Sequence, residues 1–390
     1  MSQAAHLLTF YFVTAAGSAL SSIATFLSIE RAFGGGYSLG IALTVRTLAC
    51  CALSYCVNSL ISGIGLKRLL AISQVFGLIS LIVLWAGFTT ANFPSVLVGI
   101  ILCGLPGTIV IITVVSSLRL LLNGDAFRHH SGRREQLWGV AMLSASLLAP
   151  WLLEWTSLTA VLVIDGATFI AALILLRDLN IMTAEVPLAP SSTSSHSLLN
   201  NLRALKKAPT KTFLFNSTAT LLLAALVPLM ASSKLTGLLQ PLPELLRESL
   251  WSIEAFTIIL SGTIYIHLRP LLQYRITELA LYLNALTLGF IVVVPSPLTV
   301  ISVLVLISIG ISLGFLKLRD DLMLAAGDAA NDIHSHSAIA NLHRNLVLSA
   351  SPLILVWLFN RLDFPIATLA LLTAQAVLVT LGFVAGRTTT

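Results

Sequence analysis

Long apolar runs separated by short polar breaks dominate this chain. A helix needs about 20 apolar residues to cross a bilayer. Runs that meet this requirement lie near 7–30, 38–62, 67–89, 95–121, 136–153, 157–176, 212–233, 250–268, 272–294, 297–317, 337–358 and 363–385. The pattern predicts twelve spans. The eighth run is the weakest, because it carries Glu254 and His267, which leaves eleven open. The tenth holds Gly310 and Gly314, a small-xxx-small pair suited to close helix packing. Runs this long exclude the short alternating strands of a β-barrel, and in lipid a helix satisfies its own backbone polar groups. The first run is longer than a cleavable leader's apolar core of about 7–15 residues and no basic residue precedes it, so an uncleaved first helix is expected.

Composition agrees with this pattern. With 57% hydrophobic and 10% charged residues, the chain has too few polar groups to cover a soluble globule. The formal charge of +6 would point to nucleic acid in a soluble protein; in a membrane protein it sets orientation. With an even number of spans both ends share a side. That side holds Lys67, Arg68, Arg119, Arg128, Arg133, Arg134, Arg177, Arg203, Lys206, Lys207, Lys211, Arg269, Arg275, Lys317, Arg319, Arg344 and Arg387. The other holds Arg31, Lys234, Arg247 and Arg361. Both termini are therefore expected in the cytoplasm of an inner-membrane protein. Cys50, Cys51, Cys56 and Cys103 all sit in apolar runs without metal-type or CxxC spacing, so neither a zinc site nor a disulfide framework is expected.

The longest polar stretch, 179–212, holds a Ser/Thr/Pro-rich piece and then the basic, amphipathic segment 198–207, expected to lie on the inner leaflet. It divides the chain into a six-helix unit at 1–178, a linker at 179–211 and a second six-helix unit at 212–390. Two such halves joined by a cytoplasmic linker are a transporter arrangement, with the ligand path between them.

Particular segments carry a family resemblance. Gly63-Ile64-Gly65-Leu66-Lys67-Arg68 resembles the loop motif of the major facilitator superfamily, G-x-x-x-D-R-x-G-R-R, with the basic end kept and the Asp missing. Asp165-Gly166-Ala167-Thr168-Phe169 in the sixth run is similar to the D-x-x-S/T-F segment of the branch containing enterobactin exporters and macrolide efflux pumps. Arg133-Arg134-Glu135-Gln136-Leu137, read as the loop ahead of the fifth span, and Leu198-Leu199-Asn200-Asn201-Leu202-Arg203 also resemble that branch. The resemblance spans about the whole chain. It implies an all-α integral membrane protein of about twelve helices in two six-helix lobes. Its expected activity is alternating-access export of a small siderophore or drug-like amphiphile against protons. Related branches import siderophores or nutrients, or flip lysolipids, and these are the alternatives. The expected partners are a small-molecule substrate, protons and the bilayer, with no nucleic acid and a monomeric state.

Ionisable groups at bilayer depth are costly and tend to face a cavity or one another, which makes them candidates for substrate binding and proton coupling. Arg46 lies in the second run and Glu30 ends the first on the same side, either as a structural pair or as a substrate or coupling site. Asp165 lies closest to the midplane. It suits a proton carrier, or it bonds neighbouring hydroxyls and locks the first half together. Glu254 is a second protonatable candidate, or an interfacial carboxylate paired with Arg247. Lys67 and Arg68, with Arg269 and Arg275 in the corresponding loop of the other half, are candidate gating residues at the cytoplasmic end, or plain positive-inside anchors.

Other signals are weaker. His334, His336 and His343 follow no metal-ligand spacing and are expected in a solvated loop. Gly104 to Gly107 and Ser349 to Pro352 are expected kink points. Nothing matches a phosphate-binding loop or a hydrolase motif, so no cofactor and no enzymatic activity are expected.

Overall fold

A computed structural model describes residues 2–34, 37–179, 208–221, 250–267, 297–326, 330–362 and 364–387. Within these, eleven helices follow one another: α1 Gln3–Phe33, α2 Tyr37–Ile64, α3 Leu66–Thr89, α4 Phe93–Leu121, α5 Gly124–Trp155, α6 Leu158–Asp178, α7 Ala208–Leu221, α8 Leu250–His267, α9 Pro297–Ala325, α10 Ala330–Arg361 and α11 Phe364–Arg387. Each falls on one of the apolar runs. The ninth run, 272–294, and most of the 179–211 linker lie outside the described residues. Six of the helices, α1 to α6, are long and apolar enough to span a bilayer on length and composition alone. The chain is a multi-pass helical membrane protein.

Helix ends follow local chemistry. Ser2, Asn92 and Ser157 cap α1, α4 and α6 by accepting from the amides of Ala5, Ser95 and Ala160 at 3.2, 3.1 and 3.4 Å. Gly65, with φ +78°, is the whole connection between α2 and α3, a left-handed position that a β-carbon would strain.

The first six helices pack around a core that includes Leu7, Phe10, Val114, Leu118 and Phe127. In this half α1 lies against α5 and α6, and α3 against α4. In the other half α7 packs on α9 and α11, and α8 on α9. The outer surface is apolar, with Trp155, Val163, Ile82, Leu147 and Trp357 exposed, as suits a face bathed in lipid rather than water. The halves meet mainly along two long seams, α5 with α8 and α2 with α10.

Close approach at the first seam depends on glycine. A β-carbon on Gly139 would lie 2.6 Å from Ile259 Cγ1 and 3.0 Å from the Ala255 carbonyl oxygen, and one on Gly262 would lie 2.9 Å from the Gly132 carbonyl oxygen. Gly310 and Gly314 of the predicted packing pair are both buried on α9.

Three expected boundaries are corrected. Helix α5 begins at Gly124 rather than near 136, so Arg133 to Leu137 are helical and not a loop. Helix α9 continues to Ala325, and α10 starts at Ala330, ahead of the expected 337. The apolar window stops where charges begin. On α5 and α9 some of those charges find partners on the neighbouring helix, Arg128 with Asp321 and Glu135 with Arg319.

Candidate functional site

The end at which α1 and α5 begin and α9 finishes is here called basal; the opposite end is apical. The basal extensions of α5 and α9 carry the charges that join the halves. Asp320 of α9 is fully buried. It accepts from Ser131 Oγ of α5 at 2.8 Å, from Tyr265 OH of α8 at 3.0 Å, and from Arg319 Nη2 and Nε at 3.0 and 3.2 Å. Arg319 Nη2 also donates to Ser131 Oγ at 2.5 Å, and its Nη1 lies 3.8 Å from Glu135 Oε2. Glu135 in turn holds Arg134 Nη2 at 2.6 Å, and the Arg134 guanidinium sits 5.4 Å from the Tyr11 ring centroid. Two carboxylates and two guanidiniums are thus joined in one largely buried layer. Buried charges are tolerable only when paired and hydrogen-bonded in this way.

A second layer lies closer to the basal surface. Arg128 bridges Asp125 at 3.4 Å and Asp321 at 3.8 Å, Asp321 also contacts Lys317, and Arg119 Nε donates to the Met323 carbonyl at 3.4 Å. Along the other seam, Asn341 and Asn345 of α10 donate to Ser54 Oγ of α2 at 2.9 and 3.3 Å, and Ser337 donates to the Ile112 carbonyl at 3.2 Å. Higher on the α5–α8 seam, Gln136 donates to Thr263 at 2.9 Å, and the Ser146 and Ser252 hydroxyls are 2.9 Å apart. Among the described residues, every ion pair between the halves belongs to the basal layers. Among the described residues, the apical part of the α5–α8 seam is joined by the neutral Ser146–Ser252 contact.

The residues singled out from the sequence are distributed differently. Asp165 is buried between α6 and α1, accepting from Ser21 at 2.5 Å and from Thr168 at 3.2 Å, with Gly17 leaving room for it. Arg46 faces a small cleft in the apical half of the first six helices, and Ser21 is shared between that cleft and Asp165. Glu30 is half-buried at the apical end of α1. Glu254 stands in the other half, on α8, with Oε2 buried and without a hydrogen-bond partner. The Arg344 guanidinium is within Coulombic reach of Glu254 and of Glu135 and lies 5.7 Å from the Phe315 ring centroid. The structure brings Asp165 and Arg46 to one region and leaves Glu254 apart from them. Lys67 Nζ donates to the Arg177 carbonyl at 3.0 Å, a bond inside the first half, and Arg68 is exposed. Arg269 and Arg275 lie outside the described residues.

The basal charge layer was missed in the sequence because its members were read as loop charges. A signal was present: opposite charges adjoin the basal ends of two different runs, Arg134-Glu135 on one and Lys317 with Arg319-Asp320-Asp321 on the other. The three histidines are also corrected. His334 and His336 are buried on α10, and His343 Nε2 lies 3.0 Å from Thr218 Oγ1, so none sits in a solvated loop. No group of three metal-ligand side chains occurs among the described residues.

No protein-family model matches the sequence, and no curated protein does. Solved structures do match. A bacterial homologue of the iron transporter ferroportin, crystallised in an outward-facing state, is similar over 99% of this chain and 100% of its own, with a TM-score of 0.80 at 15% identity. The human organic anion transporter TETRAN aligns over 98% of this chain and 100% of its own, with a TM-score of 0.79 at 13% identity. The E. coli fucose:proton symporter aligns over 98% of each chain, with a TM-score of 0.68 at 12% identity. The chain has the major facilitator fold. At such low identity the likeness establishes architecture, and the chemistry has to be argued from the residues above.

Proposed function

We propose that the protein is a secondary transporter working by alternating access, as a monomer in the inner membrane, with the basal end and both termini in the cytoplasm. The observation that carries this reading is the arrangement of ion pairs. Among the described residues, the ion pairs between the halves, Arg128 with Asp321 and Arg319 with Glu135, lie at one end, on a polar interface whose groups can return to water when the halves part. An interface that never opened would need no such layer, because apolar packing would hold it as well or better. Closure by charge at the basal end supports an outward-facing state. Similarity to a protein crystallised outward-facing agrees. The excess of Lys and Arg on the basal side supports the orientation.

With no nucleotide motif in the sequence, an ion gradient is the expected energy source. Asp165 and Glu254 are the proposed proton carriers, and export of a small amphiphile is the proposed direction, supported by the Asp165-to-Phe169 resemblance. Gating is assigned first to the Arg319–Asp320–Ser131 and Arg319–Glu135 contacts, with Lys67, Arg68, Arg269 and Arg275 as flanking charges. For Asp165 a structural reading has its own support, since two hydroxyls already satisfy a carboxylate that is 1% exposed. The two readings separate in inverted vesicles given a fluorescent amphiphilic dye in the outer medium. Asp165→Asn and Glu254→Gln should each abolish uptake driven by a pH step and leave counterflow exchange intact. Loss of folded Asp165→Asn protein from the membrane makes that residue structural. Continued pH-driven accumulation in both variants removes both as carriers.

A further inference from the structure

Arg46 stands outside the charge layers. Arg46 has no carboxylate within ion-pair distance among the described residues; its guanidinium lies 5.8 Å from the centroid of the Phe26 ring. A lone guanidinium at this depth is costly, and the face of one phenyl ring offsets only part of that cost. Its direction is set by packing. A β-carbon on Gly104 of α4 would meet Arg46 Cγ at 2.9 Å and Nε at 3.3 Å, so α4 presses on the side chain's stem and leaves its fork facing the cleft.

The cleft wall supplies a second, independent sign of a missing ligand. Thr25 is 3% exposed and lines the cleft, yet its Oγ1 has no hydrogen-bond partner. Buried hydroxyls are normally satisfied, so an unpartnered one in the wall of a cavity beside an unpaired cation marks a place where an acceptor belongs. Ser22 is a further hydroxyl on the wall, whereas Ser21 donates to Asp165. The cavity is about 10 Å³, the room of roughly one water, and Phe26 forms part of its apolar lining.

These features define a ligand. A planar fork with hydroxyl donors matches an oxyanion, and a single guanidinium neutralises one charge rather than two. The small volume takes one oxygen of the anionic group in the place of a water, and Phe26 belongs to the same lining. We propose that Arg46, Thr25 and Ser22 form a subsite for the carboxylate of an organic monoanion, a reading that rests on the transport function proposed above.

Binding to the purified full chain in lipid nanodiscs, with no gradient present, tests the subsite separately from transport. Radiolabelled benzoate is the probe, read by scintillation proximity. Saturable binding is expected, displaced by unlabelled benzoate but not by its neutral isostere benzamide, and poorly by inorganic phosphate. Arg46→Gln should weaken benzoate roughly tenfold or more, as for loss of a charge-assisted bond, and Thr25→Val a few-fold. Arg46→Lys, which keeps the charge and loses the fork, should fall between. Should Arg46→Gln not elute as a folded species, Arg46→Lys and Thr25→Val decide. Absence of saturable binding, equal displacement by benzamide or phosphate, or unchanged affinity in the Arg46 and Thr25 variants overturns the subsite. Intact binding without pH-driven dye uptake in any vesicle preparation would instead count against the transport reading.

Discussion

Replacing Arg319 with glutamine tests whether the basal layer is a gate. The side chain donates to Ser131 across the interface, pairs with Glu135 of the same neighbouring helix, and neutralises Asp320 beside it. Removing one partner of a buried pair costs about 3–5 kcal/mol in all. Only the part that crosses between the halves changes the balance of conformations, because Asp320 adjoins Arg319 in either state. That part is one charge-assisted hydrogen bond and one 3.8 Å pair, worth about 1.5–3 kcal/mol net, so the basal-closed population should fall roughly 10- to 150-fold relative to the basal-open one. Spin labels at Ala126→Cys on α5 and Ala325→Cys on α9, both exposed, measure this directly once the four native cysteines are replaced by serine. The parent should give one short distance. Arg319→Gln should add a longer population, and Glu135→Gln on top should add less than it does alone, since the two act on one contact. A distance distribution unchanged by Arg319→Gln would show that the layer anchors the helices without gating them.

Two further outcomes follow from packing and topology. Gly139→Leu inserts a side chain where even a β-carbon meets Ile259 at 2.6 Å, so it should destabilise by about 1–3 kcal/mol and lower the melting temperature by several degrees. Gly63→Ala, with nothing within 4 Å of its β-carbon, should leave that temperature unchanged; equal effects would refute the seam argument. Single cysteines at Ser2, Ser194 and Thr389 should resist an impermeant thiol reagent in intact cells, and labelling of any one from outside would reverse the proposed orientation.

Spans were legible in the sequence because lipid imposes a one-dimensional rule. A helix crossing it must be apolar over a fixed length, so composition along the chain locates α1 to α6 and, more roughly, the later helices. The same rule picked out Asp165, Glu254 and Arg46, since a charge inside an apolar run is conspicuous wherever it points. It could not read the basal ends. There a charge is tolerated if it meets water and tolerated if it meets an opposite charge and hydrogen-bond partners, and no single residue says which of the two it meets. Arg134, Glu135, Arg319 and Asp320 therefore read as loop residues, and the histidines of α10 did too. Only the meeting of α5 with α9, made close by the glycines of the α5–α8 seam, decided that these groups are buried and paired. Tertiary structure likewise decided which carboxylate is already satisfied and which cation is not. Ser21 and Thr168 reach Asp165 from two helices, and no carboxylate among the described residues reaches Arg46. Hydropathy follows position along the chain, whereas partnership depends on which faces of distant helices are turned toward each other.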